Sequence, residues 1–523
     1  MSLKIFLFVL LALHFFHLKA QQLSTGFVFE DTNQNSRFDT GEKGISGVAV
    51  SNGEEVVLTD ANGKYHLPVR NDDILFVIKP AGYMLPVDEN MLPKFYYIHK
   101  PEGSPQLKYS GVEPTGGLPA SVDFALLPDN KEDKFKILLF GDPQVYNENQ
   151  LHYFDQRIVS ELSGINGVLF GISMGDLVGD NPTLFQPYNK SIKKIGIPWY
   201  NVIGNHDMNY DVKADSLSDE SFESVYGPST YSFNYGKAHF IILKDILRPD
   251  PRGKSGYWGG LTSKQLTFLK NDLGQVPHDK LIVLLFHIPI WEGYIQKDIF
   301  RDADREALFV LLKDFPNTLS VSAHTHIQIN KLMSDNEDWK QEKPHHHLNL
   351  GTTCGSWYRG ELDSDGIARS TMADGTPQGY AFLNVDGNRY TVNYKVAGQP
   401  DDYQMNIYHP RFVARGKRSF SPVYVNFFIG SEHDNVMFKV DDGKWKPMNY
   451  TIEQDPSYLH LLDEWDFADH LKQGVRPVDP RECYHLWKAV LPAALDKGKH
   501  EIVIKATDMF GKTHYGRSFY NIQ

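Results

Sequence analysis

The 523-residue sequence has only two cysteines, a single long apolar run, and no cluster of lysine or arginine. Each scarcity removes a class of protein. With Cys354 and Cys483 alone, at most one disulfide can form, so no disulfide framework holds the chain; two free buried thiols fit the count as well. The apolar run, Ile5 to Phe16, follows Lys4 and precedes Leu18-Lys19-Ala20, the layout of a secretory signal peptide cut before Gln21. A membrane anchor needs about 20 apolar residues, and His14, His17 and Lys19 interrupt this run too early. After cleavage no transmembrane span is expected, and no cysteine stands directly after Ala20 to carry a lipid. Removing that segment removes two positive charges, Lys4 and Lys19, and takes the formal charge from -12 to -14. Such a surface repels a nucleic-acid backbone. A phosphate group would have to be held by metal. The protein is expected to be secreted or periplasmic.

A chain this long should divide into about three domains. From 21 to 130, short alternating runs such as Phe27-Val28-Phe29 and Ile74 to Ile78 are separated by Gly, Asn and Asp turns, which predicts a small β-sandwich. Within it Asp31, Asn33, Asn35, Asp39 and Glu42 stand at positions 1, 3, 5, 9 and 12 of a calcium-loop spacing, with the Arg37 carbonyl at position 7. Ser36 replaces the expected glycine, and strand-like residues follow instead of a helix. A turn with no ion and a structural Ca²⁺ site both fit. The charged joint Lys131-Glu132-Asp133-Lys134 marks the domain boundary.

From 131 to 397 buried strands alternate with amphipathic helices, the pattern of a layered α/β domain. Leu151, Phe154, Ile158 and Leu162 have helical spacing, and Thr262-Ser263-Lys264-Gln265 is a capping-box start. Tyr380 to Val385 and Arg389 to Val396 read as a hairpin at this domain's edge. Beyond 398 a second β-domain follows, closing on Gly498 to Asp508 in the manner of immunoglobulin-type sandwiches.

Five apolar runs in the central domain stop at polar residues: Gly141-Asp142-Pro143-Gln144, Gly175-Asp176 through Asp180, Gly204-Asn205-His206-Asp207, His287-Ile288-Pro289 and Ala323-His324-Thr325-His326. The carboxyl ends of strands are where α/β enzymes place their chemistry. A pair of divalent ions can clamp a phosphate and generate a hydroxide that attacks phosphorus, given a bridging carboxylate and N/O ligands on each side. Asp142 and Gln144 can reach one ion, with His326 returning to it; Asp176 suits the bridge; Asn205, His287 and His324 suit the second ion. His206 is then free to contact the phosphoryl group or protonate the leaving oxygen, with Asp207 beside it expected to hold its tautomer.

This order of motifs resembles the calcineurin-like metallophosphoesterases. The Gly-Asp-x-x-x-Asp and Gly-Asn-His-Asp blocks are complete, and Ala323 stands for the family's glycine before His324 and His326. The resemblance implies a four-layer α/β core, two metal ions on the residues just named, and phosphomonoester or phosphodiester hydrolysis. With flanking β-domains it is similar to a three-part type found among secreted bacterial phosphoesterases. Gln144 stands where most relatives carry histidine, and its neutral, harder oxygen favours Mn²⁺ or Mg²⁺ over Zn²⁺, with Fe and Zn²⁺ also compatible. On the substrate side, Trp291 and Tyr294 are expected to wall the cleft, and Arg359 to pair with a phosphate oxygen. The substrate class is a phosphorylated small molecule, glycan or lipid. His345-His346-His347 reads as edge or turn residues, with metal ligation as the lesser alternative. A non-catalytic surface or carbohydrate-binding protein that keeps the fold is the rival reading.

Overall fold

The computed structural model describes residues 22–129, 133–291, 293 and 298–523. The leader segment, Lys131 and Glu132 of the charged joint, and Tyr294 lie outside the described residues.

The central domain is built on two mixed sheets. In the first, the order is Trp199–Val202, Gly171–Met174, Lys134–Phe140, Gly379–Asp386, Arg389–Val396. Its first three strands are parallel and the hairpin is antiparallel, attached at the edge as its Asp386-Gly387 turn predicts. In the second, Tyr231–Tyr235, Ala238–Ile242, Leu281–Leu285, Thr318–Ser322, His345–Asn349 and Ile329–Met333 lie in that order, the inner four parallel.

Side chains alternate faces along a strand, and here both faces are buried. Ile137 and Leu139 join Ile172, Phe240, Val283 and Leu319 in the core between the sheets. Leu138 and Phe140 face outward, where Phe154, Ile158 and Leu162 pack, while Ile241 and Leu284 share the helical layer with Leu269 and Leu308. The result is the helix, sheet, sheet, helix stack that continuous apolar strands require. The predicted helix at 150 to 162 comprises Glu148–Phe154, a π-turn at Asp155–Val159 and Ser160–Leu162. Ser263–Leu273 begins on the expected capping box, Thr262 accepting from the Gln265 N–H.

The flanking parts are β-rich. The N-terminal part packs two small sheets around Gln22–Glu30 and Asp73–Ile78. The C-terminal part packs one sheet containing Pro422–Phe427 and Glu482–Val490 against another containing Gly498–Thr507 and Thr513–Ile522. It also carries a helix, Pro456–Asp466, that the strand-only expectation missed. Its start signal was in the sequence: Asp455 caps the Ser457 N–H, and Pro456 occupies the first turn. Both flanks grip the core. Lys100 pairs with buried Glu220, and the Asn330 amide donates to the Ile429 carbonyl at 2.6 Å.

Candidate metal centre

Parallel register aligns the strand ends. Leu139↔Ile172 and Met174↔Val202 in one sheet, and Leu285↔Val321 in the other, bring Asp142, Asp176, Asn205, His287 and His324 to the same edge of the stack. There the backbone turns sharply. Asp142, Gln144, Asp176, His324 and His326 all take positive φ, from 33° to 72°. Left-handed residues other than glycine cost about 1–3 kcal/mol each, and five of them at one site mark a geometry imposed for function. Two glycines are required by space: a Cβ on Gly175 would meet the His287 ring at 2.4 Å, and one on Gly204 would meet the Asp176 nitrogen at 2.0 Å.

Asp176 is the hub. Its Oδ1 accepts the His206 N–H at 2.9 Å and lies 3.3 Å from His287 Nε2, while Oδ2 accepts from the Gln144 amide at 3.2 Å. Around His287, Nδ1 donates to the Met174 carbonyl at 2.9 Å, and Nε2 stands 3.1 Å from Asn205 Oδ1 and 3.2 Å from His324 Nδ1. Asp176, His287 and His324 thus place three ligand atoms within 4.8 Å of one another. Asp142 Oδ2 accepts the His324 N–H at 2.9 Å. Asp142 Oδ1 and Gln144 Oε1 are buried with no hydrogen-bond partner among the described residues. His326 donates from Nδ1 to the Gly355 carbonyl at 2.8 Å, the tautomer that leaves Nε2 as a ligand atom, and Trp357 stacks on its ring at 4.1 Å.

The electrostatics ask for positive charge. Burial pushes the Asp142 carboxyl up to about 8 against the pull of His287. Burial would lower His287, but Asp176 and Asp142 raise it to about 10; burial takes His324 down to about 3 and His326 to about 4. Two orphaned buried oxygens, and acceptors crowded around one imidazole nitrogen, are the donor set a pair of hard cations satisfies.

His206 corrects one expectation. Its orienting carboxylate is Asp180, whose Oδ1 lies 2.8 Å from Nδ1. Asp207 is turned away and fully buried, accepting the N–H groups of Val178 at 3.0 Å and Gly204 at 2.8 Å. Consecutive residues of the tight turn Asn205–Asp207 project in different directions, so adjacency in sequence does not give contact. Burial opposes protonation of His206, but Asp176 and Asp180 prevail and raise it to about 9.

The histidine run is a second correction. His345, His346 and His347 are not exposed; they form a buried strand and spend their nitrogens on hydroxyl and amide partners. Trp291 packs edge-on against Tyr484 of the C-terminal part and near Lys331. Arg359 is exposed and lines a cleft beside His206. In the N-terminal loop, Asn33 and Asn35 both donate to Asp39, and Glu42 takes the N–H groups of Thr32 and Asp39, so its oxygens are engaged within the loop. Cys354 and Cys483 are buried and do not pair. Sequence reasoning missed Asp245, which accepts the His287 and Ile288 N–H groups at 3.1 and 2.8 Å and so fixes the backbone at His287. Its signal was an aspartate ending the apolar run from Ala238.

Comparison with known proteins finds family matches for all three parts of the chain. Residues 135–328 match the family described as calcineurin-like phosphoesterase, residues 32–110 the N-terminal part of such proteins, and residues 347–514 their C-terminal part. A probable glycerophosphodiester phosphodiesterase from Arcobacter nitrofigilis is 27% identical over 159 residues, which is 30% of this chain and 55% of that relative's length. Among solved structures, a dimetal phosphatase from Danio rerio aligns at 13% identity and TM-score 0.35, covering 50% of this chain and 95% of its own. A purple acid phosphatase from yellow lupin aligns at 13% identity and TM-score 0.37, covering 67% of each chain. With all three parts matched, the chain belongs to the calcineurin-like phosphoesterases and carries that family's N- and C-terminal parts on either side of the core.

Proposed function

We propose that this protein is an exported hydrolase of phosphoric esters that works with two divalent metal ions. One ion would be held by Asp142, Gln144, Asp176 and His326, the other by Asp176, Asn205, His287 and His324. Bound there, the ions supply Lewis acidity toward a phosphoryl oxygen and a nucleophile at neutral pH. The observation that carries the reading is the pair of buried, unpartnered oxygens on Asp142 and Gln144, facing a centre already crowded with acceptors. Gln144 in that set favours Mn²⁺.

The chain's own contribution is proton handling. Asp180 holds His206 by Nδ1, which leaves Nε2 as the atom that gives a proton to the departing oxygen. Asp180→Asn is expected to lower kcat by roughly tenfold to a hundredfold with metal content unchanged. Asp207→Asn, which loses a cap on two backbone N–H groups, should act mainly on thermal stability. The reverse pattern in steady-state kinetics and melting would return the orienting role to Asp207.

The deciding experiment strips metal with a chelator, reloads Mn²⁺, Fe²⁺ or Zn²⁺, and measures hydrolysis of phosphate monoesters, diesters and diphosphate esters. Turnover restored best by Mn²⁺ is expected. No metal-dependent hydrolysis of any ester would leave the non-catalytic binding module. Export rests on the leader at 1–20, and a mature protein starting anywhere but near Gln21 would count against it.

A further inference from the structure

A cleft of about 700 Å³ opens beside the centre with His206 in its wall. It is far larger than a phosphate needs and falls in the range of small-molecule sites. We infer that this cleft holds the alcohol half of the substrate, and that its ligand is a hydroxyl-rich ring, a sugar or cyclitol, carried on a phosphodiester; the inference rests on the hydrolytic reading above.

The lining sets the chemistry. Four tyrosine and tryptophan rings line it: Tyr146, 6.0 Å from the His206 ring; Tyr153 and Tyr358, 6.3 Å apart; and Trp357, stacked on His326. Between them stand the amides of Asn147, Asn149 and Gln150. The Asn147 oxygen accepts the Gln150 N–H at 3.0 Å, and the Gln150 oxygen accepts the Tyr146 N–H at 2.8 Å. Their carbonyl ends are thereby committed, and their NH₂ ends remain as neutral donors suited to hydroxyl oxygens. Aromatic faces alternating with neutral amide donors match a ring with one CH-rich face and a hydroxyl rim. A single guanidinium, Arg359, does not suit a polyanion. Among the described residues Val475 and Val478 are the only aliphatic side chains in the wall, too few for a lipid trough.

The backbone is consistent with a built site. Trp357 and Tyr358 take φ of 56° and 54° in succession, a conformation that bulky residues adopt at a cost. The strained turn is locked where Tyr358 donates its hydroxyl to the Pro143 carbonyl and its N–H to Cys354 at 2.8 Å. That lock sets Trp357 against a metal-ligand candidate and puts Arg359 in the wall. The C-terminal part completes the cleft: its strand Gly474–Val475 pairs with Gly360–Glu361, Val475 opposite Gly360, directly after Arg359.

The test uses full-length, Mn²⁺-loaded protein and methyl phosphodiesters of glucose, inositol, octanol, methanol and a nucleoside, with release of the alcohol as readout. The glucose or inositol diester should exceed the octyl and methyl diesters at least tenfold in kcat/KM. Val478→Trp, which fills the cleft from the C-terminal side, should lower that ratio at least tenfold. A preference for octyl or nucleoside diester, or an unchanged ratio in the variant, overturns the inference. In parallel, calorimetric titration with glucose 6-phosphate and inositol 1-phosphate should show binding that Val478→Trp weakens at least tenfold. If no ester is hydrolysed, the hydrolytic reading fails, and this titration still decides the cleft: absence of binding overturns it.

Discussion

Asp176→Asn should lose both metal and turnover while keeping its fold, with kcat down on the order of 10³-fold or more. Asp176 is 1% exposed and touches Gln144, His206 and His287. Burial by itself would raise its carboxyl, but His287, His206 and His324 hold it well below the usual range, so it is charged at any working pH. Asparagine fills the same volume and removes that charge from the one side chain that the proposed function assigns to both ions. Metal analysis should find fewer than two ions per chain. Stability should separate the effect from misfolding. The Asp176 charge is held in the fold by His287 and His206, so in chelator the variant should melt somewhat lower than the wild type while keeping a single cooperative transition. Added Mn²⁺ should raise the wild-type midpoint by mass action and leave the variant's unmoved. Two ions per chain and turnover within tenfold of wild type would remove Asp176 from the centre.

What could be read in advance followed from chemical anomaly. Asp142, Asp176, Asn205, His287 and His324 each end an apolar run, and a buried strand that stops on a metal-binding donor is conspicuous in one dimension. The register that brings them together is likewise implied by parallel strands. Roles that depend on side-chain direction were hidden. Asp207 adjoins His206 in sequence while Asp180 lies 26 residues away, and only the folded geometry decides that Asp180 reaches the ring. Asp245 acts through backbone N–H groups 42 and 43 residues away, a contact no local pattern encodes. The cleft residues Tyr146, Trp357 and Val475 come from three separated segments, so their convergence needed the fold.

The histidine run shows the same limit and leads to the second large effect, on acid stability. Thr318, Ser320 and Ser322 occupy alternate positions of one strand, and His345 and His347 alternate positions of its neighbour. Paired, they form a buried ladder. His345 bridges Thr318 and Ser320 at 2.8 and 2.7 Å, and His347 bridges Ser320 and Ser322 at 2.8 and 3.3 Å. On the opposite face His346 joins Tyr390 and Asn330, each at 2.9 Å. Neutral rings fit these partners, and burial drives His345 and His346 down to about 3 and His347 well below its ordinary value. In the unfolded chain each titrates near 6.5. Above that pH neither state carries the charge. As pH falls below 6.5, the unfolded chain gains protons that the folded one refuses, so stability drains away until the folded value near 3 is reached. At pH 4.5 the loss is roughly 2–3 kcal/mol for each of His345 and His346, together a large share of an ordinary domain's stability. The urea midpoint of chelator-treated protein should therefore fall steeply between pH 6.5 and 4.5. His345→Gln with His346→Gln should flatten that slope while lowering the midpoint at pH 7.5, and proton uptake on unfolding of the wild type at pH 5, measured by calorimetry in buffers of different ionisation enthalpy, should show the same protons directly. A variant with the wild-type slope, and unfolding without proton uptake, would mean that the ladder accepts charge in place and that the acid sensitivity resides elsewhere.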